Sequence, residues 1–88
     1  MGTLRVRTAP GVGVEVDAEV VYVAPLPDGP IMVLEGIAAL IWTVSDGVER
    51  AAVAGFVAQA TGEEVSAVRS HVDAFIDEML DRRMLVQD

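Results

Sequence analysis

Two periods divide the chain. Over the first third, apolar residues recur at every second position: Leu4–Thr8 reads Leu-Arg-Val-Arg-Thr, and Val12–Asp17 reads Val-Gly-Val-Glu-Val-Asp. That alternation belongs to half-buried strands, and one or both segments are expected to pair. Glu19–Ala24 is a β-branched and aromatic run, and Pro25-Leu-Pro-Asp-Gly-Pro30 behind it is dense in turn formers, so the two read as a strand and its hairpin turn. Ile31–Leu34 is too short for its period to separate strand from buried helix. Pro30 favours an extended start, and the segment is read as the last strand of a small antiparallel sheet.

From Gly36 the period lengthens. Ile37, Leu40, Ile41 and Val44 share one helical face until Asp46-Gly47 stops the run. Ala52, Val53, Phe56, Val57 and Ala60 do the same between Val48 and Gly62, although Gly55 weakens that helix by roughly 1 kcal/mol relative to Ala. A third, longer stripe runs through Val65, Val68, Val72, Phe75, Ile76, Met79 and Leu80, with Ser66, Ser70, Asp73, Asp77 and Asp81 on the far side. Glu63 and Glu64 precede it and Arg82-Arg83 follow it, charges that complement a helix dipole. Met84-Leu85-Val86 returns to an extended pattern. The order predicts an α+β fold of winged helix-turn-helix layout, a small three-stranded antiparallel sheet followed by three helices that need the sheet to bury their stripes.

Length and composition narrow this further. A chain of 88 residues buries only about 60–65% of its unfolded surface, which leaves room for one core, so residues 1–88 are read as a single domain. With 52% hydrophobic and 23% charged residues it is globular in composition, and the lack of cysteine excludes disulfides and thiolate metal sites. Six arginines face fourteen acidic residues, for a net charge of −8. Nucleic acid should be repelled, because Arg5, Arg7, Arg50, Arg69, Arg82 and Arg83 are scattered among acids rather than gathered in a patch. The opening Met-Gly-Thr-Leu-Arg lacks the apolar stretch of a signal peptide. Gly36–Val44 is about half the ~20 residues a bilayer span needs. A cytoplasmic location without membrane attachment is the expectation.

Chemistry-bearing residues are sparse. His71 is the sole histidine; with no second imidazole or thiol to complete a ligand set, and Asp73 and Asp77 on a face that reads as solvated, it is taken as a surface residue. Ser45-Asp46 and Ser70-His71 do not assemble a nucleophile, base and orienting group. Pro10-Gly-Val-Gly13 has neither the following Lys nor the helix of a phosphate loop. No catalytic residue, metal or cofactor is therefore expected. Trp42 falls off the stripe of the first helix and must meet a second surface, either packing inside the domain or anchoring a partner. Val68 and Phe75 lie at one edge of the third helix's stripe, where core packing is the plain reading and the floor of a groove the sharper one. An open antiparallel sheet also leaves backbone groups unpaired on its outer strands, where a further strand can be added.

At Ile31–Gly47 the sequence Ile-Met-Val-Leu-Glu-Gly-Ile-Ala-Ala-Leu-Ile-Trp-Thr-Val-Ser-Asp-Gly resembles the family of the pyrroloquinoline-quinone biosynthesis chaperone, PqqD. The family pattern runs apolar strand, Leu, a small helix start, Ala, Ile-Trp, then Asp-Gly. Leu34, Ala38 or Ala39, Ile41-Trp42 and Asp46-Gly47 occupy those places, and the later helices and the Met84-Leu85-Val86 tail carry the likeness over most of the chain. There are two departures: Glu35 stands where the family often has Asn, and Arg83 where a Gly often precedes the final apolar pair.

The resemblance implies a RiPP recognition element, a non-catalytic domain that binds the leader of a ribosomally made precursor peptide. It would present that leader to a modifying enzyme such as a radical-SAM maturase or a leader peptidase. It further implies that the leader adds as a strand along Ile31, Met32, Val33 and Leu34. Val68, Phe75 or their neighbours on Val65–Arg83 would form the other wall. This agrees with the open-edge argument, since strand addition supplies main-chain hydrogen bonds and side-chain pockets supply selectivity. A homodimer is compatible with this reading. Two competing readings are a winged-helix DNA-binding regulator, opposed by the charge, and a structural or dimerisation subunit of an enzyme complex, recognisable by self-association indifferent to any leader.

Overall fold

A computed structural model describes Leu4 to Asp88. Along the chain the elements are β1 (Arg5–Thr8), β2 (Val12–Asp17), β3 (Val20–Pro25), β4 (Met32–Leu34), α1 (Gly36–Ser45), β5 (Val48–Glu49), α2 (Arg50–Thr61), α3 (Val65–Asp81) and β6 (Leu85–Gln87). The fold is α+β, with a three-stranded antiparallel sheet in the order β2-β3-β4 and three helices. This arrangement is compatible with the winged-helix layout.

The alternation of β2 and β3 turns into a regular hairpin. Val12 pairs with Pro25 and Asp17 with Val20, joined by the two-residue loop Ala18-Glu19, in which Ala18 has φ +56°. β4 continues the sheet antiparallel to β3, with Val23 opposite Met32, Tyr22 opposite Val33 and Val21 opposite Leu34.

β1 goes elsewhere. It is the centre of a second sheet, β5-β1-β6, pairing Arg5 with Glu49 on one side and Thr8 with Leu85 on the other. Of the two alternating segments, therefore, only Val12–Asp17 joins the expected sheet. The turn at Pro10-Gly11, where Gly11 takes φ +80°, carries the chain from one sheet to the other. Val6 is then buried between partners that the sequence keeps far apart. β5 was expected to be the start of the second helix; its two residues are held extended because β1 needs a neighbour.

One hydrophobic cluster unites the layers, built from Val6, Val21, Val23, Leu34, Ile41, Trp42, Val53, Val57, Val68, Val72, Ile76, Met79 and Leu85 among others. α3 packs as its pattern predicts, burying Val68, Val72, Ile76 and Met79 at helical spacing. α1 does not. Its buried residues are Ala39, Ile41, Trp42 and Ser45, so the helix is turned by about 100°, one residue's rotation, from the stripe of Ile37, Leu40, Ile41 and Val44. Trp42 decides this, because its ring offers more apolar area than any other residue of the helix. Ile37 is left exposed and Leu40 and Val44 half-buried. In α2 the buried face is Val53, Ala54, Val57 and Ala58, and the predicted core residue Phe56 lies on the surface.

Candidate functional site

β4 has one neighbour. It pairs with β3 and with nothing on its other side among the described residues, so half of its backbone groups face outward. Its side chains alternate as the pleat demands. Met32 packs against the core and Leu34 is buried in it, whereas Ile31 and Val33 are 68% and 51% exposed. Of the four residues expected to carry peptide binding, two thus anchor the strand and two project from it.

The two residues expected from α3 part company. Val68 is fully buried and presents no surface, the plain reading of its place on the stripe; Phe75 is half-buried at the edge of the core. On a helical wheel Phe75 shares its side with Arg82, while Arg69, Asp73 and Asp77 share the other. The second side is occupied by α2: Arg50 reaches across from it, donating to Asp77 Oδ1 at 2.7 Å and lying 3.8 Å from Asp73 Oδ1. The Phe75 side is free of that helix, and at its end Arg82 comes beside β4. There Pro25, Pro30, Ile31, Met32, Arg82 and Met84 border an open depression of about 450 Å³. The Arg82 guanidinium is held at 3.0 Å from Glu78 Oε2.

Pro25, Pro30 and Met84 were absent from the expected site, and Arg82 belonged to it only as part of the range Val65–Arg83. What brings Met84 there is the end of α3. The Arg83 N–H donates to Leu80 O at 3.1 Å and the Met84 N–H to Met79 O at 2.9 Å, with Arg83 at φ +62°. These are the two bonds and the left-handed residue of a Schellman cap. The cap folds the apolar Met84 back under the helix, where it is buried. The departure at Arg83 therefore keeps the turn that a glycine would make. Glu35, the other departure, sits at the N-cap of α1 in extended conformation and makes no side-chain cap bond.

The Asp-Gly pair has a structural task. Asp46 Oδ1 accepts from the Thr8 backbone N–H at 2.8 Å and from its hydroxyl at 3.3 Å, the Gly47 N–H donates to Val6 O at 2.6 Å, and Arg5 donates to Gly47 O at 2.9 Å. Gly47 has φ +78°, a conformation that costs other residues about 1–2 kcal/mol. The end of α1 is thereby tied to β1. Trp42, the motif's other marked residue, is buried, which places it in packing rather than on a partner-facing surface. His71 is exposed, and among the described residues no group of three His, Cys, Asp or Glu side chains is placed to hold a metal ion. No helix of the described residues is long and apolar enough to cross a membrane.

An open-edged sheet with a helical layer behind it, and beside the edge an apolar depression with one cation, makes this a small α+β domain with a groove along a free strand edge. The chain belongs to the PqqD family: the family model described as Coenzyme PQQ synthesis protein D matches residues 15–85. Among curated proteins and among solved structures, none matches significantly. Membership in the family supports a role as a peptide-binding accessory in cofactor and peptide-product biosynthesis.

Proposed function

We propose that this chain binds the leader segment of a ribosomally synthesised precursor peptide, in the cytoplasm, and presents it to a modifying enzyme such as a radical-SAM maturase. The leader adds as a strand along the free edge of β4, over Ile31–Leu34, with its inward side chains in the depression beside Met32 and Met84. The observation that carries this reading is the unpaired edge of β4 beside that depression in a chain of the PqqD family. Backbone pairing along an open edge gives affinity, and alternate side chains dropping into pockets give selectivity.

Proline at β4 tests it. In an antiparallel ladder, successive residues turn their N–H groups to opposite sides. Of Met32 and Val33, one therefore donates within the sheet and the other outward. Proline at the first breaks an internal bond, with a loss of about 1–3 kcal/mol in stability. Proline at the second leaves the fold nearly intact and removes a bond to the leader. Met32→Ala serves as a control for the packing of Met32 against the core. Thermal melts and the anisotropy of a labelled candidate leader should show one proline variant melting early and the other folded but binding more weakly. Two folded variants that bind the leader as the parent does would place the site off β4.

A further inference from the structure

The sheet has a second open edge, and its chemistry differs from that of the first. Among the described residues β2 has β3 as its only strand neighbour, and at six residues it is twice the length of β4. Its pairing with β3 sets Val14 opposite Val23 and Val16 opposite Val21, so these side chains point to the face that bears the core. Yet Val14 is 43% and Val16 62% exposed, because the helical layer stops short of β2. Between Val16 and the flank of α1 runs a largely apolar groove bordered by Val16, Val21, Ala39, Leu40 and Thr43, with Glu19 at its rim. The turned α1 contributes to it directly, since Leu40 would lie in the interior if the helix followed its sequence stripe.

On the other face of β2 the alternate residues are Glu15 and Asp17, while Glu19 in the hairpin loop borders the groove. Among the described residues none of the three has an ion-pair partner, whereas five of the six arginines are committed elsewhere or lie at the far end of α3. The edge is long and apolar on one face, and its charge is uncompensated on the other. Pairing with a second copy is opposed by that charge. In a two-fold antiparallel ladder centred on Glu15 or on Val16, carboxylate stands opposite carboxylate.

We propose that the β2 edge is a second docking surface, which takes an extended segment of a partner protein whose side chains alternate apolar and basic. The apolar residues of that segment enter the groove beside Val16, Leu40 and Thr43 and complete the cover that the helices leave off Val14 and Val16. Its Lys or Arg residues emerge on the opposite face beside Glu15 and Asp17. The site is distinct from the leader edge and does not depend on what β4 binds. With both edges filled, one five-stranded sheet holds a strand at β4 and a strand at β2 at a fixed separation of about 19 Å, four strand spacings.

The test uses the full chain, labelled with ¹⁵N, and two blocked synthetic hexapeptides, Lys-Val-Lys-Val-Lys-Val and Glu-Val-Glu-Val-Glu-Val. The basic peptide should move the amide resonances of Val12–Asp17, Leu40 and Thr43 and leave Met32–Leu34 in place, and the acidic one should move neither set. In the variant E15K/D17K, both positions being exposed, the basic peptide should bind about tenfold more weakly and the acidic peptide should gain, as cross-strand charge pairs reverse sign. Asp17→Lys alone, giving a smaller shift in the same direction, stands in if the double variant is unstable. Absence of shifts along β2, shifts confined to β4, or binding indifferent to the charge reversal would overturn the proposal, whatever the leader experiment shows.

Discussion

Replacing Arg83 by glycine should stabilise the protein. Arg83 sits at φ +62° in the cap that ends α3, and a left-handed conformation costs an L-residue about 1–2 kcal/mol. Among the described residues its side chain has no ion pair, so little is lost with it beyond a cation's attraction to the helix C-terminus. Glycine releases the strain but adds freedom to the unfolded chain, which takes back roughly 0.4–1 kcal/mol. Arg83→Ala loses the same charge and keeps the Cβ, and so isolates the backbone contribution. Arg83→Gly should exceed Arg83→Ala by about 0.5–1 kcal/mol. In a domain of this size that is a difference of roughly 2–8 °C in Tm, readable by circular dichroism with both variants in one buffer. If the alanine variant melts as high as the glycine variant, the charge and not the backbone limits this turn, and the strain assigned to Arg83 is refuted.

Further outcomes follow from the same geometry. Asp46→Ala removes the acceptor for the Thr8 N–H and hydroxyl and should cost about 1–2 kcal/mol, the low end for a charged hydrogen bond because water can replace it. Asp46→Asn retains an oxygen acceptor and should cost less than half as much; an alanine variant melting with the parent would remove the Asp-Gly pair from its structural task. Ile76, 0% exposed at the centre of α3, should cost about 2–5 kcal/mol as alanine, and an unchanged urea midpoint would contradict its place in the core.

The elements were legible in the sequence where one period dominated. Val12–Asp17, Glu19–Ala24, the third helix and the extended tail all stand where alternation or helical spacing placed them. What the pattern could not carry was partnership. Leu4–Thr8 alternates as well as Val12–Asp17 does, and nothing local says that the first pairs with Val48–Glu49 and Leu85–Gln87, segments more than 40 positions away. The face of α1 was misplaced because counting apolar positions weighs Leu40 and Trp42 alike, while burial weighs them by area. The same equality hid Phe56, whose neighbours Ala54 and Ala58 are small enough for α2 to pack closely and leave the ring outside. The place of Ile31–Leu34 at a sheet edge could be read because an edge strand follows from strand order. That of Met84 could not, since the cap at Arg83 that brings it there appears in the sequence as a plain arginine.

The ladder between β1 and β6 also bears on the order in which the molecule is assembled. Its partners lie about 80 residues apart in the chain, and closing a loop of that length costs about 4 kcal/mol of chain entropy before any contact is gained. The β2–β3 hairpin closes across two residues and meets almost none of that cost. The β2-β3-β4 sheet can therefore form early, and the β5-β1-β6 sheet waits until β6 has left the ribosome. Until then the β1 edge that takes β6 is unpaired, and Val6 lacks part of the cover it has in the native core. A nascent chain of this protein therefore carries its first strand open to wrong pairing on one edge until β6 docks on it.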